Sequence, residues 1–171
     1  MSGQKPAKDV YVTVKVTDVA AEKFEFKSSD LPVGPDNHLT FDDGKDFSGF
    51  NIFYTLEGAD GYKFPKDDLN EALYVKGGSS TYCPQSKSQW GQFQAVDVLD
   101  DGRTLKVWNK NDAKAKFAYM MRAKKGSDWL ELDPGGTNNN AGGDGTISAA
   151  GAIVGAIAAV ALLTVAYIAL R

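Results

Sequence analysis

The chain has almost none of the residues that usually build metal centres and disulfides. Its 171 residues include a single cysteine, Cys83, and a single histidine, His38. A blue-copper site needs two histidines and a cysteine, and structural zinc needs four such ligands, so neither site fits. One cysteine allows no disulfide within the chain, which is compatible with a reducing compartment. A nucleophilic pair of Cys83 and His38 would require the fold to bring them together. We therefore expect no cofactor.

The chain also lacks a concentrated block of positive charge. It carries 19 Lys and Arg against 22 Asp and Glu, for a formal net charge of −3. Nucleic-acid binding by phosphate neutralisation is therefore not expected, and neither is peripheral docking on anionic lipid. No G-x-S-x-G elbow, phosphate-binding loop or dinucleotide-binding glycine pattern occurs. These absences predict a protein without catalytic residues.

One long apolar run stands out at the C-terminal end of the sequence. Residues 146–170 contain no charged side chain, and Arg171 follows them. A helix rises about 1.5 Å per residue, so a hydrocarbon core of about 30 Å needs roughly 20 apolar residues. The run predicts a single transmembrane helix over residues 146–171, with membrane lipid as a partner. A cleaved C-terminal sorting or lipid-anchor signal is the alternative.

Small residues recur within this run at spacings of three and four. Such spacings place side chains on one helix face and let two helix backbones approach closely. The pattern predicts possible self-association through a face formed by Ser148, Gly151, Ala152, Gly155, Ala156 and Ala159.

Two signals disagree about which side of the membrane carries the N-terminal domain. Residues 126–145 hold four acidic side chains and no Lys or Arg, while Arg171 lies beyond the apolar run. The positive-inside rule would therefore place the domain on the outer side. The first 16 residues contain no apolar segment of the kind that a secretory signal needs. We expect the domain on the cytoplasmic side, with orientation left open by the opposing charge pattern.

Residues 9–134 alternate apolar and polar side chains in short runs. The clearest run places valine at positions 10, 12, 14 and 16, between polar or aromatic neighbours. A period of two built from β-branched residues predicts a strand with one buried face. About eight such strands follow one another with no amphipathic helix between them. The expected fold is all-β, an antiparallel Greek-key β-sandwich, Ig-like or cupredoxin-like, followed by the transmembrane helix.

Turn residues divide the chain into four parts. Asp101-Gly102 between the apolar runs 93–99 and 103–108 predicts a hairpin. Pro134 predicts the end of the last strand, because proline has no N–H to continue a ladder. The expected parts are a disordered arm at 1–8, a β-sandwich at 9–134, a Gly/Asn linker at 135–145 and a transmembrane helix at 146–171. The expected core aromatics are Phe24, Phe26, Phe53, Tyr62, Phe64, Phe93, Trp108, Phe117 and Tyr119.

Calcium is the one metal for which candidate ligands exist, because hard oxygen ligands on loops suit it. The candidates form two loop clusters, Asp42, Asp43 and Asp46 in one and Asp97, Asp100 and Asp101 in the other. Neither cluster has the spacing of an EF-hand, and Asp-Gly pairs also make solvated turns. Solvated turns are therefore the favoured interpretation of both clusters.

Four short motifs occur in a particular order along residues 9–134. They are the valine-rich strand at 10–16, GYKFP at 61–65, FAY at 117–119 and LDP at 132–134. This order resembles that of the DP-EP family of small bacterial β-sandwich proteins. The resemblance implies the β-sandwich fold and carries no catalytic residue. The chain departs from the family after Pro134, where a Gly/Asn segment and the apolar run replace a polar ending.

The patterns together predict a single-pass membrane protein that displays a non-catalytic β-sandwich, for binding or for a structural role at a membrane surface. Its further partner would be an unidentified protein or surface ligand. Two alternatives stay open. One is a structural protein of a virion or envelope, present in many copies. The other is a membrane-tethered enzyme with an active site carried on loops.

Overall fold

The computed structural model describes residues 5–42, 46–77 and 90–139. These residues are mostly β-strand with a single turn of α-helix, which confirms the expected β-rich class. The elements are β1 (Lys8–Asp18), β2 (Lys23–Lys27), β3 (Leu39–Phe41), β4 (Phe50–Glu57), α1 (Leu69–Ala72), β5 (Leu73–Gly77), β6 (Phe93–Leu99), β7 (Thr104–Asn109), β8 (Ala115–Lys125), β9 (Asp128–Leu132) and β10 (Gly135–Asn138).

The predicted transmembrane helix over residues 146–171 lies outside the described residues. Within the described ranges, no helix has the length and apolar character needed to cross a bilayer.

The strands form two sheets that share one hydrophobic core. The first sheet has the order β2-β1-β4-β7-β6, and the second has the order β3-β10-β8-β5, with β9 also pairing with β8. Inward side chains of both sheets, such as Val12 and Ile52 from the first and Leu130 from the second, belong to one buried cluster. The hydroxyl oxygens of Tyr54 on β4 and Tyr119 on β8 lie 2.9 Å apart and join the sheets by a buried hydrogen bond. This arrangement is consistent with the predicted sandwich.

The alternation in β1 produces its two faces as expected. Val10, Val12, Val14 and Val16 are between 0% and 5% exposed, whereas Tyr11 between them is 60% exposed. Fully burying one such side chain contributes roughly 2 kcal/mol, so four valines on one face hold β1 firmly against the core. The opposite face of the same strand remains in contact with solvent.

The predicted hairpin around the Asp-Gly pair is confirmed. Strands β6 and β7 pair antiparallel, with Leu99 opposite Thr104. The turn between them needs three residues with positive φ, at 51° for Asp100, 54° for Asp101 and 93° for Gly102. Asp and Gly adopt this conformation at the lowest steric cost, which explains why the sequence carries them here.

The expectation of purely antiparallel sheets is wrong. β1 and β4 run parallel, with Val10 opposite Ile52, and β3 and β10 run parallel, with Gly136 opposite Leu39. Parallel neighbours need a long crossover connection. β2 and β3 lie in the connection between β1 and β4, and most of the chain separates β3 from β10. Alternation within a strand predicts its buried face but carries no information about the direction of its neighbour.

The second sheet includes residues beyond position 134, where the domain was expected to end. Leu132 pairs with Met121 in β9, and Gly135 pairs with Ala118 in β10, so one register continues across both strands. Asp133 and Pro134 interrupt this strand without ending it. The Tyr119 N–H donates to the Pro134 carbonyl at 3.3 Å, so the proline removes one donor from the ladder and keeps its acceptor. The first four residues of the linker predicted at 135–145 therefore form β10.

Part of the N-terminal arm predicted at residues 1–8 is hydrogen-bonded to the rest of the domain. Lys8 begins β1, and its N–H donates to the Gly49 carbonyl at 2.9 Å. The Pro6 carbonyl accepts a hydrogen bond from the Ser48 N–H at 3.0 Å. Residues 6–8 are therefore held against the segment that precedes β4, and residues 1–4 lie outside the described ranges.

The aromatic core was predicted in part. Phe26, Phe64, Phe93, Phe117 and Tyr119 are buried as expected, and Phe24 and Tyr62 pack against the core partly exposed. The prediction was wrong for Phe53 and Trp108, because both side chains point away from the core. Three buried rings were missed, Phe41, Phe50 and Tyr54.

Candidate functional site

The second group of predicted calcium ligands lies at the turn between β6 and β7. Asp97, Asp100 and Asp101 line an open cleft of about 400 Å³ together with Lys63 and Lys66. Lys63 Nζ donates to Asp101 Oδ2 at 2.6 Å, and this hydrogen bond followed by the lysine charge lowers the pKa of Asp101. Asp97 Oδ1 accepts from the Val98 N–H at 2.8 Å. Two of the three carboxylates therefore already accept hydrogen bonds from neighbouring protein groups.

The first group of predicted calcium ligands lies before β4. Asp42 and Asp46 are exposed, and Asp43 falls outside the described residues. The Asp42 main-chain carbonyl accepts a hydrogen bond from Asn111 Nδ2 at 2.9 Å. Across the parts of the chain that the structure describes, no three His, Cys, Asp or Glu side chains are grouped so that they could hold a metal ion.

Two further predicted features fall outside the described residues. One is Cys83, which any nucleophilic pair with His38 would require. The other is the helix-association face, comprising Ser148, Gly151, Ala152, Gly155, Ala156 and Ala159.

His38 lies where β3 and β10 meet. Its Nε2 atom is 2.8 Å from Thr137 Oγ1, and a Cβ atom added to Gly135 would lie only 2.7 Å from its Nδ1 atom. Burial, and secondarily the charge of Lys116, lowers the pKa of His38. The imidazole therefore packs directly on the backbone of β10 in a position that favours its neutral form.

Three other ionisable groups among the described residues have pKa values shifted for local reasons. Burial raises the pKa values of Tyr54 and Tyr119, which lie in the core. The pKa of Asp112 is lowered by its hydrogen bond from Lys110 on the surface. The shifted groups among the described residues serve local structure and do not converge on one cleft, so the enzyme alternative gains no support from them.

The outer face of the first sheet carries a stack of side chains across three strands. The rings of Tyr11 on β1 and Phe53 on β4 stack with centroids 5.1 Å apart and planes inclined by 15°. Lys106 on β7 places its Nζ atom 5.4 Å from the centroid of Phe53. Tyr11 and Phe53 are register partners, as are Phe53 and Lys106, so the pairing of strands itself builds the stack.

Trp108 adds a third aromatic side chain to this surface. It lies on β7, two residues from Lys106 and opposite Asn51 of β4. A Cβ atom added to Gly49 would lie 2.6 Å from Trp108 Cη2, so the indole packs directly over the glycine backbone. Gly49 has φ of +147°, a conformation that also favours glycine. We call the surface formed by Tyr11, Phe53, Lys106 and Trp108 the aromatic face.

A second aromatic cluster lies on the outer face of the second sheet and is built differently. The Arg122 guanidinium lies 4.7 Å from the ring centroid of Tyr74 and 4.1 Å from that of Trp129. It donates to Glu71 Oε2 at 2.6 Å and to Glu131 Oε1 at 2.9 Å. Its side chain is only 12% exposed. The cation and its two carboxylates satisfy one another, so this cluster ties α1, β5, β8 and β9 together and offers a ligand little beyond the edge of Trp129.

The alternation of inward and outward positions in β4 and β7 indicates which side chains form the aromatic face. In β4, Phe50, Ile52, Tyr54 and Leu56 are buried, so Phe53 falls in the same register as exposed Thr55. Trp108 likewise falls between Val107 and Asn109, which are buried. Strand parity would have placed both rings outside, but hydrophobicity alone placed them in the core.

Comparison with known proteins gives no relative for this chain. No family model matches it, and no curated protein matches it either. The resemblance of residues 9–134 to the DP-EP family therefore stays a prediction.

Proposed function

We propose that the chain is a single-pass membrane protein whose β-sandwich binds a partner at the membrane surface without catalysing a reaction. The observation that carries this proposal is the aromatic face. Tyr11 is 60% exposed although it is held against Phe53 in a stack. Tyrosine and tryptophan are enriched at binding surfaces because they offer a large, rigid contact area. A ring that is both ordered and exposed suits binding.

The finer details of the fold are part of the same proposal. The two sheets and their common core support a sandwich. We propose Greek-key connections and an Ig-like or cupredoxin-like arrangement, with the membrane span over residues 146–171 supported by its uncharged composition. The small-residue face of that span would allow copies to associate in the membrane.

The end of β10 defines how closely the domain would be held to the bilayer. The Asn139 N–H donates to the Phe41 carbonyl at 2.8 Å, so the backbone stays attached to the sheet as far as residue 139. Six residues then remain before Thr146, and a fully extended chain of that length reaches roughly 20 Å. The domain would therefore lie beside the headgroups, within reach of ligands at the membrane surface.

Membrane attachment is tested on the full chain expressed in a bacterial host. One portion of intact spheroplasts is treated with protease before and after lysis, and membranes isolated from a second portion are washed with alkaline carbonate. We expect the protein to stay in the membrane pellet, since carbonate does not extract a helical span. The protease treatment shows which side of the membrane carries the domain. Release into the carbonate supernatant would overturn the anchor and with it the proposed function.

A further inference from the structure

We infer that the aromatic face binds a neutral glycan chain. The inference rests on the proposed binding function and names the ligand of that same face. It comes from three properties of the face, namely the open end of its ring stack, the spacing of its aromatic side chains and the mixture of charges of both signs around them.

The stack offers one ring surface to a ligand. Phe53 lies between Tyr11 and the ammonium of Lys106, so both of its ring faces are occupied. Tyr11 ends the stack and has only one ring face against Phe53. A sugar ring presents C–H groups on one side, which pack on an aromatic ring face while its hydroxyls stay hydrated. Phe53, which itself packs against the Lys106 ammonium, supports one face of the tyrosine ring and leaves the other for such a contact.

Trp108 provides a second contact at a useful distance. It lies on β7, and Tyr11 lies on β1, with β4 between these strands. Neighbouring strands are about 4.8 Å apart, so the two side chains are separated by about 10 Å across the sheet. One monosaccharide cannot touch both, whereas a linear chain of linked sugars can. The ligand is therefore an oligomer or polymer that crosses the strands.

Charges of both signs lie beside one another on this face. Lys15 is the register partner of Glu25 on one side and Glu57 on the other. Lys106 is the register partner of Asp97 on β6. An anionic or a cationic ligand would therefore meet charges of its own sign as well as charges of the opposite sign. A neutral ligand would meet no such repulsion.

Uncharged polar groups surround the rings. Thr13 and Thr55 are register partners beside the stack, and Asn51 is the partner of Trp108. Asn51 Nδ2 donates to Asp9 Oδ1 at 2.8 Å, which orients its amide on the outer face. Hydroxyl and amide groups exchange hydrogen bonds with sugar hydroxyls in either direction. Rings flanked by such groups, on a sheet face that carries charges of both signs, match a neutral glycan better than an anionic polymer.

The test is a titration of the full chain in detergent micelles with defined oligosaccharides. The neutral probes are cellohexaose, laminarihexaose, maltohexaose and mannohexaose, and the anionic probe is hexagalacturonate. Isothermal calorimetry measures affinity. At least one neutral probe is expected to bind, and Tyr11→Ala is expected to weaken that binding by about tenfold, because it removes a whole ring contact.

Matched variants separate binding from folding. Tyr11→Phe keeps the ring and should retain most of the affinity, whereas Trp129→Ala on the opposite face of the molecule should leave it unchanged. Tyr11 is mostly exposed, so Tyr11→Ala should keep the thermal unfolding transition of the parent protein. Circular dichroism checks this for each variant.

Three results would overturn the inference: binding to none of the neutral probes, binding only to hexagalacturonate, or equal affinity for the parent protein and Tyr11→Ala. None of them bears on carbonate extraction, so failure of the glycan inference is distinguishable from failure of the membrane anchor.

Discussion

Asn109 and Asn138 exchange two hydrogen bonds across the space between the sheets. Asn109 Nδ2 donates to Asn138 Oδ1 at 2.8 Å, and Asn138 Nδ2 donates to Asn109 Oδ1 at 3.1 Å. Both residues are fully buried. Asn109 ends β7 in the first sheet and Asn138 ends β10 in the second, so this amide pair fastens the last described strand to the opposite layer.

Removing β10 should prevent the domain from folding. β10 lies between β3 and β8, so its loss opens a gap inside the second sheet and removes the partner of Asn109. We expect a chain that ends at residue 145 to unfold cooperatively in circular dichroism, and a chain that ends at residue 134 to lack that transition. A cooperative transition in the shorter chain would show that β10 is dispensable.

The amide pair should contribute measurably to stability. In the chain that ends at residue 145, Asn138→Ala leaves the Asn109 amide buried without this partner, which costs about 2–4 kcal/mol for two lost hydrogen bonds. Urea denaturation measures the free energy of unfolding. Asn139→Ala is the control, since Asn139 bonds to the Phe41 carbonyl through its main-chain N–H. Replacing its side chain should change stability by under about 1 kcal/mol. Equal effects of the two variants would contradict the role of the pair.

The stability of the domain should decrease as the pH is lowered and His38 becomes protonated. Its pKa in the folded protein is below the ordinary value of 6.5, so the unfolded chain binds this proton more readily. The stabilisation from neutral His38 is complete above pH 6.5 and is lost as the pH falls through the folded pKa. Melting temperatures between pH 8 and pH 5 should therefore decline less for His38→Gln, which keeps a polar group beside Thr137.

The same titration can be followed directly, because His38 is the only histidine. One imidazole C–H resonance in the proton NMR spectrum should titrate with a midpoint below pH 6.5. A midpoint at or above 6.5, or identical melting profiles for the two proteins, would contradict the assigned environment of His38.

Gly49 should tolerate no side chain. A Cβ atom there would lie 2.6 Å from the Asn109 carbonyl oxygen and 2.6 Å from Trp108 Cη2, and φ is +147°. Gly49→Ala should therefore cost about 3 kcal/mol through strain and displacement of the indole. Gly91→Ala is the matched control, because nothing lies within 4 Å of a Cβ atom added there. Similar urea midpoints for both variants would show that Trp108 does not pack on Gly49.

Local sequence patterns predicted most strands but misjudged particular residues. The buried valines of β1 and the Asp-Gly turn between β6 and β7 could be predicted, because each depends only on local backbone preference and on neighbouring residues. The single helical turn α1 begins at Leu69, after the N-cap residue Asp68, whose carboxylate accepts from the Asn70 N–H. Phe53 and Trp108 were misjudged, because their hydrophobicity was given more weight than their strand parity.

The candidate site was hidden for a related reason. Phe53 and Tyr54 are adjacent aromatic residues, but Tyr54 is fully buried and Phe53 faces outward. The stack of Tyr11, Phe53 and Lys106 exists only because β1, β4 and β7 are neighbours in one sheet. Their sequence positions are too far apart for any local pattern to bring them together.

The sequence by itself determined where strands form, which face of β1 is buried, where the β6–β7 chain reverses, and that residues 146–170 carry no charge. These properties depend on side-chain alternation, backbone preference and composition, which are local. Only the tertiary structure decided that β1 and β4 run parallel, that the strand continues past Pro134, and that Asn138 meets Asn109. Each of these depends on hydrogen bonds between segments distant in the chain, and such pairings are chosen by the packing of the whole core.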